Sequence, residues 1–292
     1  YLRAFDVTLE ELETRGDKIV VERIAKNIAQ SARVSQAVVL ALDGVTNKAG
    51  NLDREATQIY VPNDFVAAQT ARFPQLLFGA SINPTRHDAL ARLDKAKAQG
   101  AVLVKWIPAI MGFNPSNDSL KPFYARMKTH GLALLSHAGQ ERAFGPADDS
   151  LGDPRHLELA LKAGVTVIVG HLATTGKTEG KDYFYHLLPM FERYPNLYAE
   201  ISSLTQINKR GYLYEALEDK NLHARLLYGS DWPLQFFPLV SPWYQFPTVS
   251  ISTISAVRAL DNLWDRDVAL KEAMGVPAHI FERTGKLLGV TR

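Results

Sequence analysis

The 292-residue chain is 46% hydrophobic and 22% charged, with a formal net charge of +2 and no cysteine. These proportions exclude a disordered or fibrous chain, and no apolar run reaches the roughly 20 residues of a membrane span or has the layout of a signal peptide. Scattered Lys and Arg give no electrostatic case for nucleic acid or an anionic membrane. The lack of cysteine removes disulfides, thiolate metal sites and thiol nucleophiles, and fits a cytoplasmic setting.

The chain opens at Tyr1 on YLRAFDVTLEELE, which already reads as protein interior and is followed by a helical pattern over 17–33. Short Val-, Leu- and Ile-rich runs then alternate with helical patterns. The runs are QAVVLALDG (36–44), LLFGASINP (ending at Pro84), AVLVKWIPA (101–109), LALLSHAG (132–139), VTVIVGHLA (165–173), LYAEISS (197–203) and ARLLYGSDWP (224–233). Each has the depth of a strand buried on both faces of a parallel sheet. Helices are expected over 64–72, 87–99, 119–130, 154–163, 183–194 and 212–220, several closing on glycine, as at Gly100, Gly131 and Gly164. Further helices are expected from 249 onward. No linker interrupts the alternation, so one domain over 1–292 is expected. A doubly wound sheet and a (β/α)8 barrel both fit, and seven β/α units leave the barrel one strand short.

Polar residues stand where the runs end: Lys105, His137, His171, Glu200 with Ser202, and Asp231. In parallel α/β folds these ends face the active site. A single strand-end histidine is more often a satisfied core residue, and Asp231 alone reads equally well as a helix cap. Two histidines and an aspartate at equivalent ends together suit Zn²⁺, or Mn²⁺ in its place. Lys105, inside an apolar run, must pair, lose its proton, be modified or reach solvent. Arg142, Trp106, Trp232 and Phe113 are candidate contacts to a small carboxylated or ring-containing substrate, with ordinary packing as the equal alternative. GHLATTGKT resembles a phosphate loop, but Gly170 and Gly176 are one residue too far apart. Neither G-x-S-x-G nor G-x-G-x-x-G occurs. The aromatic segment 234–247 is expected to form a pocket wall or a subunit contact, which would make a homodimer.

KWIP, LLSHAG, IVGHLA, YAEIS and YGSDWP, in that order and spacing, resemble the amidohydrolase superfamily. The likeness is greatest to its amidohydrolase-2 branch, which includes aminocarboxymuconate-semialdehyde decarboxylase. The resemblance implies a (β/α)8 TIM barrel in which the visible runs are strands two to eight. It further implies His137 and Asp231 as metal ligands and His171 as the general acid/base, with Asp231 orienting water. Lys105 matches either a substrate contact or a carbamylated bridge. The His-x-His pair of the family's first strand has no match here, and its expected place is before Tyr1. The implied activity is metal-dependent hydrolysis or non-oxidative decarboxylation of a small molecule. A catalytically inactive barrel serving as a binding or scaffold subunit remains open at this point.

Overall fold

The computed structural model describes residues 2–234 and 239–290. Strands β1 (Ala37–Leu40), β2 (Leu76–Ala80), β3 (Leu103–Trp106), β4 (Ala133–Ser136) and β5 (Val167–Val169) fall on the first five apolar runs. A small antiparallel hairpin, β6 (Lys177–Thr178) with β7 (Lys181–Asp182), separates them from β8 (Leu197–Glu200) and β9 (Leu226–Leu227). Helices fill the intervals: α1 (Leu2–Phe5), α2 (Leu9–Arg15), α3 (Lys18–Ala29), α4 (Asn63–Thr70), α5 (Ala89–Ala98), α6 (Pro108–Met111), α7 (Lys121–His130), α8 (Glu158–Lys162), α9 (Tyr183–Arg193), α10 (Tyr212–Glu218) and α11 (Lys220–His223). After β9 come α12 (Ile251–Arg258), α13 (Leu263–Ala273) and α14 (Ala278–Leu288). None of the described helices is long and apolar enough to cross a membrane.

The seven strands lie parallel in the order β1-β2-β3-β4-β5-β8-β9. Spatial order never departs from chain order. A doubly wound sheet must reverse its winding at a switch point, whereas this sheet winds one way only, as a barrel does. The curl brings its two ends together: the Asp265 carboxylate on α13 accepts from the amides of Ala32 (3.0 Å) and Arg33 (3.1 Å), just after α3. Val21, Ile24, Ala25 and Ile28 of α3 form one apolar cluster with Leu76 and Trp264, against which Trp232 packs. The architecture is therefore that of a TIM barrel with seven of its eight strands among the described residues, consistent with the expected (β/α)8 barrel whose first strand is not among them.

Alternation along the strands sorts the side chains into two layers. Val104, Trp106, Leu134, Val167, Val169, Leu197, Ala199 and Leu226 point outward into the main core beneath the helices. Leu103, Ala133, Ile168 and Leu227 form the inner cluster, with Val38, Leu40, Leu135 and Tyr198 against it. Continuing the inner parity to and past the strand ends gives Lys105, His137, Glu200 and Ser202. Two-residue periodicity thus delivers Lys105, His137, Glu200 and Ser202 to the carboxyl mouth of the barrel, and Asp231 reaches it from the turn that follows β9.

Candidate active site

His171 does not follow that parity and reaches the mouth by a backbone turn. After Gly170 the chain enters the left-handed region for three consecutive residues, His171 (φ 54°), Leu172 (φ 53°) and Ala173 (φ 52°). Ser203 (φ 59°) and Asp231 (φ 55°) adopt it as well. Each such non-glycine residue costs on the order of 1 kcal/mol, so the mouth concentrates strain that the surrounding packing must hold. Gly170 and Gly229 make room here: a Cβ on Gly229 would stand 2.6 Å from Glu200 Oε2, and one on Gly170 3.2 Å from the Ser136 carbonyl.

The orientation of His171 comes from a chain of hydrogen bonds. Glu200 accepts from the His171 amide (2.8 Å), the Ser202 amide (2.6 Å) and the Ser202 hydroxyl (2.8 Å). Ser202 Oγ also lies 2.7 Å from His171 Nδ1. The hydroxyl has one proton, and it goes to the carboxylate. Nδ1 must therefore carry a hydrogen and donate it to Ser202, which leaves the Nε2 lone pair free. Glu200 Oε1, 3.4 Å from Nδ1, favours the same tautomer. Burial alone would raise the Glu200 pKa, but His171, the Ser202 hydroxyl and the two amides outweigh it and hold the carboxyl below its usual range. Burial and the nearby Lys209 push His171 below 6.5 despite the attraction of Asp231 and Glu200.

The His137 ring lies beside that of His171, centroids 5.1 Å apart. Burial, with His171 and Lys105 nearby, depresses its pKa well below 6.5. Its Nε2 is buried and lacks a hydrogen-bond partner, and Nδ1 is 3.8 Å from Glu141 Oε2. Burial raises the Glu141 carboxyl. Asp231 accepts a short hydrogen bond from the Ser203 hydroxyl. Neutral imidazole nitrogen and carboxylate oxygen are the donors a zinc-type ion takes, and the orphaned Nε2 fits one. The fit is right in kind and short in number, because no three His, Asp or Glu side chains gather as a metal-holding group among the described residues.

A model of the Amidohydro_2 family, described as amidohydrolase, matches residues 23–239, most of the chain. The chain belongs to the amidohydrolase family. Its members are hydrolases or decarboxylases of small molecules and typically use a divalent metal. An uncharacterized TIM-barrel protein from Bordetella bronchiseptica is similar in fold, with a TM-score of 0.58 at 19% identity, over 98% of this chain and 90% of that one. So is a protein described as a 2-pyrone-4,6-dicarboxylic acid hydrolase from Pseudomonas putida (0.52, 15%, over 87% and 98%). The IDCase of Metarhizium anisopliae also shares the fold (0.55, 14%, over 92% and 79%). No curated protein matches in sequence.

In this amidohydrolase the remaining sequence candidates lie elsewhere. Trp106 has the outward parity of β3. Its indole is wholly buried, donates to the Ile82 carbonyl (2.7 Å) and packs on Phe113, Phe123 and Tyr124. Both Trp106 and Phe113 are thus core residues rather than pocket lining. Arg142 is 62% exposed and its guanidinium is paired with Asp149. Trp232 comes directly after Asp231 but stacks on Trp264, centroids 5.6 Å apart, with Phe5 edge-on. Residues 235–238 of the aromatic segment lie outside the described residues. Two site residues escaped sequence reasoning: Glu141, in a polar loop, and Lys209, at the end of the 3-10 turn Ile207–Lys209, which carries no strand-end signal.

Proposed function

We propose that this amidohydrolase acts on a small carboxylated or cyclic compound, by amide or lactone hydrolysis or by non-oxidative decarboxylation, with His171 moving the proton. The observation that supports this most is the Glu200–Ser202–His171 chain, which presents a neutral imidazole with a free Nε2 at the barrel mouth. A carboxylate that fixes the imidazole tautomer through its far nitrogen is a recurrent way of preparing a general base. Glu200 and Ser202 hold Nδ1–H, so Nε2 takes a proton from water or substrate and returns it to the leaving group or ring carbon. The charge on His171 after proton uptake is balanced by Glu200. Asp231, fixed by Ser203, orients the attacking water. His137 Nε2 and Asp231 are the chain's own donors to a divalent ion, Zn²⁺ or else Mn²⁺, which when bound supplies Lewis acidity and lowers the pKa of water.

The test uses the full chain, metal-replete, on a panel of carboxylated lactones (ring opening) and aromatic carboxylic acids (CO₂ release). At least one class is turned over, and His171→Ala loses about 100-fold or more in kcat while keeping its fold. Undiminished turnover in His171→Ala refutes the role. We further propose a homodimer through the segment around Trp243, where Leu239, Trp243 and Phe246 stand exposed.

A further inference from the structure

Two amines at the mouth have no part in the proton chain. Lys105, on the inner face of β3, and Lys209, in the turn after β8, are each only 8% exposed. Among the described residues, neither Nζ donates a hydrogen bond or forms an ion pair. Glu200, Asp231 and Glu141 act electrostatically on both, so the two amines lie in the same neighbourhood of the mouth. Those carboxylates are engaged elsewhere: Glu200 by the His171 and Ser202 groups, Asp231 by Ser203, and Glu141 by the Ala143 amide (2.6 Å). A buried ammonium without a hydrogen-bond partner is costly.

We propose that Lys105 and Lys209 form a cradle for a carboxylate of the substrate, making Lys209 a substrate-binding residue. This rests on the hydrolase or decarboxylase reading above and narrows it: the compound carries a carboxylate that is held between two ammonium groups while its reacting atom meets His171. A carboxylate suits the pair because its two oxygens accept from two separate donors. Two lysines act as point charges rather than as a rigid fork, so they select charge more strongly than planar shape. The ligand also supplies the hydrogen-bond acceptors that the two amines otherwise lack.

The test is direct titration of malonate and its neutral isostere malonamide into the full-length protein, read by calorimetry, with no turnover needed. Malonate binds at least about tenfold more tightly than malonamide, as charge-assisted hydrogen bonds require. Lys209→Met abolishes that preference, Lys209→Arg restores part of it, and Lys105→Met behaves like Lys209→Met. The ligand-free Tm of Lys209→Met is unchanged or raised, since an unpaired buried charge has gone; a purely structural lysine would give a lower Tm. Equal binding of malonate and malonamide, or undiminished malonate binding in Lys209→Met, overturns the cradle. Malonate binding without turnover on the lactone and aromatic acid panel leaves the cradle standing and removes the proton-transfer reading. Turnover without charge preference does the reverse.

Discussion

Ser202 has a single hydroxyl proton, and its destination decides what His171 can do. Donated to Glu200, it obliges His171 to hold its own proton on Nδ1, 2.7 Å away. Ser202→Ala therefore frees the imidazole to change tautomer, and kcat falls about tenfold or more with little change in fold, a loss steady-state kinetics would read. Glu200→Gln removes the charge that supports the protonated form of His171. The His171 pKa then drops, and the acid limb of the pH–rate profile moves to lower pH. At this scale the sequence was informative for Lys105, His137, Glu200 and Ser202, which strand alternation carries to one mouth, and for Asp231, which follows the last apolar run into the turn beyond β9. It was silent on Lys209 and Glu141, whose loops owe their positions to tertiary packing. For Trp106 it left substrate contact and packing equally open, and the indole lies in the core because a one-residue step on a strand changes the face.

At the scale of the element, β9 is the part that departs most from its sequence. The run ARLLYGSDWP suggests a long strand, yet only Leu226–Leu227 pairs in the sheet. Beyond Leu227 the backbone is held by α13 and α14 instead of by a neighbouring strand, with Thr284 of α14 donating to the Tyr228 carbonyl (3.0 Å). Lys271, wholly buried on α13, donates to Asp267 (2.7 Å) and to the Gly229 carbonyl (3.3 Å), and Tyr228 donates to Asp267 (2.8 Å). These partners are some forty residues away in the chain, which is why no local pattern announces them. Lys271→Met leaves the Asp267 charge buried with only Tyr228, and about 3–5 kcal/mol of stability should be lost in denaturant unfolding. Gly229→Ala sets a methyl 2.6 Å from Glu200 Oε2. The overlap displaces the carboxylate that fixes His171, so activity falls together with about 1–3 kcal/mol of stability.

For the whole molecule, strand order equal to chain order is the feature that separates a barrel from a doubly wound sheet, and the apolar runs alone left both open. The tie between Asp265 and the amides after α3 is a long-range contact that joins the two ends of the winding. The mouth also sets the pH response of folding. His137 and His171 are depressed below 6.5 in the folded state, so the unfolded chain binds more protons below that value. Their contribution leaves stability intact above pH 6.5 and erodes it as pH falls from there, a trend that urea titrations at several pH values would show and that weakens in His137→Gln. The most direct measurement of the central claim is ¹⁵N NMR of the His171 ring across pH. We expect the Nδ1–H tautomer with a pKa below 6.5, and loss of that tautomer preference in Ser202→Ala. An Nε2–H tautomer, or an imidazole still protonated well above 6.5, would contradict the account.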